Sequence, residues 1–164
     1  MSLRLREGFT MVELMVVVGI VAILALIAAP SFQDQIVRDQ INNALPLADI
    51  AKPPIAASWA FAQSFPADNA AASLPAPDKI VNNYIKSVEI QNGAVHITFG
   101  NKAASAINGK ILSLRPAIVE DAPIVPVTWV CGFATPPDKM TVKGFNKTAI
   151  EQNYLPLKCR GPAQ

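Results

Sequence analysis

A chain of 164 residues with a formal net charge of +2 has the length of one domain, and that charge is too small to argue for a nucleic-acid partner by itself. One histidine and two cysteines supply no spaced metal-ligand cluster, and no Gly-rich phosphate loop, Ser/His/Asp arrangement or paired-carboxylate cleft is visible, so no catalytic residue, cofactor or metal is expected. Fourteen prolines and many alanines argue for a loop-bearing domain rather than a helical bundle, and no internal repeat is seen.

The chain opens with a short basic segment, residues 1–8, in which Arg4 and Arg6 outweigh Glu7. Phe9 to Ala29 follows, twenty-one residues whose only charge is Glu13. As a helix it spans about 31 Å, close to the hydrocarbon thickness of a bilayer. A secretory signal places its small-residue cleavage site after the apolar run. Ala28-Ala29-Pro30 is a poor version of that site, whereas Gly8-Phe9 sits before the run. An ionised Glu13 costs up to about 3 kcal/mol at mid-bilayer and less near an interface. A plain anchor has no use for that cost, so the carboxylate implies a partner, the alternative being that it snorkels to the head-groups.

Gly8-Phe9-Thr10-Met11-Val12-Glu13-Leu14, behind the leader Met1–Gly8, closely resembles the start of type IV pilin precursors, and the likeness extends more loosely to the C-terminus. The resemblance implies cleavage between Gly8 and Phe9 by a membrane-embedded prepilin peptidase, with N-methylation of Phe9. It implies that Glu13 pairs with the terminal amine of a neighbouring subunit during assembly into a homo-oligomeric filament by the pilus machinery. The subunit would rest in the inner membrane before assembly and in an extracellular pilus afterwards, with the basic leader holding its own end on the cytoplasmic side. Buried together, the Phe9 amine and Glu13 attract strongly, but desolvation offsets much of the gain, so the pair sets register more than stability.

In chain order, residues 9–32 form the apolar half-helix, with Gly19 and the alanines at 22, 25, 28 and 29 permitting close helix approach. Pro30 is expected to kink it rather than end it, and similar pilins carry a proline here where the helix loosens in the filament. Residues 33–164 form the head. Val37, Ile41, Leu45 and Ala48 make a helical stripe that Ile55, Trp59 and Ala62 continue, so a kinked helix to about Phe65 is expected, packed on a sheet. Pro46 and Pro53-Pro54 depart from the smoother helix of the family and put continuity over 45–54 in question. Residues 66–79 read as a proline-rich surface loop, the αβ loop of pilins, and equally as a passive connector.

Tyr84, Val88 and Ile90 alternate with polar residues, Asn92-Gly93 suits a type I′ turn, and Val95, Ile97 and Phe99 return. A third strand is expected at Ile111–Arg115 and a fourth from Val125 and Val127 through Trp129 into Cys131, with Pro116, Pro123 and Pro126 at edges or ends. The expected fold is α+β: one long kinked helix on an antiparallel sheet of about four strands. His96 is placed on the polar side of the hairpin with no second imidazole near it.

Cys131 and Cys159 lie in the part expected to be exported, and an even count there favours one disulfide around a 29-residue segment, two free thiols being the alternative. The resemblance agrees, since many pilins close a C-terminal D-region this way (here 131–159). From Asp138 to Arg160, five basic residues (Lys139, Lys143, Lys147, Lys158 and Arg160) face two acidic ones, with Phe145 and Tyr154 interleaved. Such a loop is able to hold phosphates and stack bases, yet its charge is ordinary for a solvated surface. Asn146-Lys147-Thr148 matches the glycosylation pattern only as a common chance match. The resulting expectation is a non-enzymatic type IV pilus subunit whose filament serves motility, adhesion or DNA uptake. The alternatives are a minor or competence pilin that binds DNA and a type II secretion pseudopilin.

Overall fold

The computed structural model describes residues 8–162, with the side chains of residues 28–31 left out. The expected leader, apart from Gly8, and the side chain of Pro30 therefore lie outside the described residues. Two compact units divide the chain between Gln35 and Ile36.

Helix α1 runs from Met11 to Ala48. A single 3-10 turn, Asp49–Ala51, leads into α2, Lys52–Ala62. The expected stripe keeps its phase across that junction: Val37, Ile41, Leu45, Ala48, Ile55 and Trp59 are all buried, joined by Ala44 and Ala51. Three prolines are tolerated for separate reasons. Pro46 sits exposed inside the last turns of α1, and Pro53 and Pro54 fall in the first turn of α2, where their missing N–H groups have no intrahelical acceptor. The helix stops at Ala62, short of the expected Phe65. Gln63 turns left-handed (φ 51°) and donates its N–H to the Trp59 carbonyl, and this reversal lays Phe65 on the Trp59 ring at 5.3 Å. Ala62, expected in the stripe, is exposed for the same reason.

The sheet is antiparallel, in order β1-β2-β3-β4, with β1 Ile85–Gln91, β2 Ala94–Phe99, β3 Ile111–Ile118 and β4 Thr128–Cys131, and a two-residue β5, Thr141–Val142, pairs with β3. The hairpin turn lies at Asn92 (φ 49°) and Gly93 (φ 81°), the two positive values that a type I′ turn requires. A bulge between Ile85 and Ser87 changes the parity of β1, so Ile85 rather than Tyr84 joins Val88 and Ile90 inside. β4 is shorter than expected because the segment through Val125 and Val127 is a turn-rich loop.

Pro116 lies inside β3, opposite Trp129, and not at a strand end. Its carbonyl accepts the Lys143 N–H on the side away from β4, at 2.8 Å. A residue's N–H and C=O point to the same side of a strand, so the missing donor faces a position where β2 has already ended.

The αβ loop is anchored rather than loose. Asn69, 4% exposed, donates to the carbonyls of Val88 and Pro75 and accepts the N–H of Ile90 at 2.7 Å, so its amide stands in for a strand along the outer edge of β1. One face of the sheet meets the helical stripe in a core that includes Ile41, Ile55, Val88, Ile97, Leu112 and Leu155. Each such side chain contributes about 1.5–3 kcal/mol by leaving water. The other face is not left to solvent. His96, expected on a polar surface, is 1% exposed because the C-terminal segment folds over it. Gly144 makes that cover close: a Cβ at this glycine (φ 80°) would meet the Ala94 Cβ at 2.7 Å.

Candidate functional site

The N-terminal unit is an apolar helix without a cover of its own. Among its described side chains, the large apolar ones from Met11 to Ile27 are 47–78% exposed. An 18-residue window there has a mean hydropathy of 2.8 and none of it is buried. Exposed apolar surface on this scale requires lipid or another protein against it. Phe9 is 79% exposed and precedes the first helical residue, with Gly8 exposed before it.

Glu13 is the single charge between Phe9 and Ala29, and the structure adds a local role for it. Thr10 precedes Met11 and its hydroxyl accepts the Glu13 N–H at 3.2 Å. This is half of a capping box, T-x-x-E, with Glu13 in the first turn where the helix dipole favours a carboxylate. The Thr10-x-x-Glu13 spacing is legible in the sequence, inside a run whose hydropathy is the stronger signal.

In the head, Cys131 at the end of β4 is bonded to Cys159 in the 3-10 turn Leu157–Cys159, with Cα atoms 4.5 Å apart. Both cysteines are buried, and the Phe133 N–H donates to the Cys159 carbonyl at 3.0 Å. Gly132 between them is left-handed (φ 55°), and a Cβ there would lie 2.7 Å from that same carbonyl.

The five basic residues of the D-region have different surroundings. Lys143 pairs with Glu120 at 2.6 Å. The Arg160 guanidinium donates to the carbonyls of Leu155 (2.8 Å) and Asn153 (3.1 Å), and Arg38 of α1 donates twice to that same Asn153 carbonyl. Lys139, Lys147 and Lys158 are exposed and hold no ion pair among the described residues. Phe145 is 71% exposed, while Tyr154 packs partly against the core. Asn146 of the glycosylation-like triplet donates its amide to the Gly132 carbonyl.

Beneath this segment, His96 Nδ1 lies 2.9 Å from Ser113 Oγ, which also accepts the Lys147 N–H, while the Ser113 N–H donates to Thr148 Oγ1. Ser113 therefore ties β3 to both β2 and the D-region. Burial, then the nearby Lys147 ammonium, lowers the His96 pKa from 6.5, with Glu89 pulling weakly the other way. Burial likewise lowers that of Arg115, whose guanidinium reaches the Gly132 carbonyl. Among the described residues, no group of three metal-ligating side chains is assembled.

The sequence compares with known proteins along nearly its whole length. The prokaryotic N-terminal methylation motif matches residues 3–29, and the pilin family (bacterial filament) matches residues 37–160. A fimbrial protein of Neisseria meningitidis serogroup B is 32% identical over 164 residues, covering 95% of each chain. A type IV major pilin protein, PilE, of Neisseria gonorrhoeae is 33% identical over 162 residues, again 95% of each. The fimbrial protein EcpC of Eikenella corrodens is 31% identical, covering 98% of this chain and 94% of its own. The exposed apolar helix, the helix-on-sheet head and the disulfide agree with these matches: the chain belongs to the pilin family of bacterial filament proteins.

Proposed function

We propose that this pilin is a structural, non-catalytic subunit of a type IV pilus. It is held in the inner membrane by its N-terminal helix and then polymerised through that helix into an extracellular filament. The observation that carries the reading is an apolar helix of membrane length, uncovered along its described length and bearing one carboxylate, Glu13. Lipid covers such a surface in the precursor, and copies of the same helix cover it in a filament. Prepilin peptidase cuts between Gly8 and Phe9, and Glu13 takes the methylated Phe9 amine of a neighbour. A lone carboxylate in apolar surroundings is tolerated when an opposite charge meets it. Pro30 is the point at which the helix gives way during packing.

A Glu13→Ala variant tests this reading. It is expected to be processed and membrane-inserted at normal levels, since neither step uses the pair, yet to be absent from sheared surface filaments. Abundant filaments built from the variant would remove Glu13 from assembly.

DNA contact through the D-region is not proposed ahead of this reading. Lys143 and Arg160 are already engaged within the head, which leaves Lys139, Lys147 and Lys158 for a polyanion.

A further inference from the structure

Pro46, one of the prolines that interrupt the helical pattern, lies at a cleft in the head, apart from the apolar N-terminal helix. The cleft has a volume of about 220 Å³ and opens between the end of α1, the 3-10 turn and β4. Its floor is apolar: Leu45, Leu114 and the ring of Trp129. Its rim is polar and comes from two elements far apart in sequence, Asn42, Asp49 and Lys52 on the helical side and Lys158 on the C-terminal side.

Both sides are held in place. Lys52 Nζ sits 2.7 Å from the Asp49 carboxylate and 5.8 Å from the centre of the Trp129 ring, so its position is set by an ion pair and a cation–π contact together. Lys158 neighbours Cys159, and the disulfide to Cys131, itself in the cleft wall, fixes its backbone at the rim. Pro46, also at the rim, has no N–H, so the Asn42 carbonyl lacks its usual helical donor.

The chemistry of floor and rim narrows the occupant. A purely apolar ligand has no use for four polar rim groups, and a single carboxylate already paired with one of two rim ammonium groups is a poor seat for a metal ion. The volume falls below the roughly 300–1,000 Å³ of sites for drug-sized ligands, so one ring fits and an oligomer does not. An aromatic platform takes the C–H face of a ring, while a carboxylate and a side-chain amide take hydroxyl groups around its edge. Two ammonium groups against one carboxylate leave one cation over, and among the described residues Lys158 holds no ion pair. We propose that this cleft binds a single pyranose unit bearing a carboxylate, its ring on Trp129, its hydroxyls at Asp49 and Asn42, and its acid group at Lys158.

The test uses the detergent-solubilised full chain, with D-glucuronate and D-glucose as probes and benzoate as an aromatic acid. Binding is read by saturation-transfer NMR and tryptophan fluorescence. Glucuronate is expected to bind saturably and at least about tenfold tighter than glucose, the effect of one added charge-assisted contact. Lys158→Gln should bring glucuronate down to the level of glucose. Asp49→Asn should weaken glucose and widen the gap between the two sugars, since it removes a hydroxyl acceptor and frees Lys52, and Trp129→Phe should remove the fluorescence change while keeping a weaker NMR signal. The first two variants alter exposed side chains, so circular dichroism should match the parent. Three results would each overturn the proposal: no saturable glucuronate signal, equal affinity for the two sugars, or benzoate binding that Lys158→Gln abolishes while neither sugar binds.

Discussion

His96 and Asn69, with Ser113, are the buried polar side chains among the described residues of the head. Burial and then the Lys147 ammonium both oppose a charge on His96 in the folded protein. In the unfolded chain it titrates near 6.5, so the unfolded state binds the extra proton first as pH falls. The native pKa is the lower one, so its contribution to stability is full above 6.5 and declines as pH falls from there toward the native value. Thermal unfolding of the full chain in detergent should therefore drop in midpoint as pH falls below 6.5, and a His96→Asn variant should show a flatter profile there. Identical profiles would show that His96 is not the titrating group. Asn69 makes three hydrogen bonds that finish the edge of β1 and close its own loop. Asn69→Ala would orphan the Ile90 N–H and the Val88 carbonyl, at about 3 kcal/mol in urea unfolding. A loss within experimental error would mean that water replaces the amide.

At the scale of elements, the disulfide and the sheet divide the work of holding the D-region. The bond closes a segment with a sequence separation of 28, worth about 3.5 kcal/mol in a chain-entropy account. The same segment is also held by Ser113, by the Lys143 N–H on Pro116 and by the Arg160 bonds to backbone carbonyls. A Cys131→Ser/Cys159→Ser variant should thus keep its strands by circular dichroism and lose about 3.5 kcal/mol in urea unfolding, with most loss of amide protection over residues 155–162. Loss of the whole sheet signal would show instead that the bond is a condition of folding.

For the whole molecule, the two units differ in what they need from their surroundings. The head, from Ile36 onward, contains the buried core, the sheet and the disulfide. The apolar helix before it buries none of its most hydropathic window. Expressed alone in an oxidising compartment, residues 36–164 should be soluble and unfold in one cooperative transition, as a domain of this size with its own core does. Aggregation of that fragment would mean that the preceding helix takes part in the fold of the head.

What could be learned from the sequence was what neighbours in the chain decide. A membrane-length run, one carboxylate within it, a helical stripe and an Asn-Gly turn between alternating residues all depend on spacings of a few positions. The structure agrees with the stripe and the turn almost residue for residue, Ala62 excepted. The paired cysteines were legible through the compartment that the helix implies, and they are bonded. Tertiary structure alone decided which polar residues face water. The period-two pattern of the hairpin assigns His96 to the outer face, but it says nothing of a segment some fifty positions later that folds over that face through Ser113 and Gly144. The same holds for Pro116, acceptable inside β3 only because β2 ends beside it, and for Asn69, a loop residue by composition and an edge strand's partner by position. Periodicity reports one face of one element, whereas burial is set by whatever the rest of the chain brings against it.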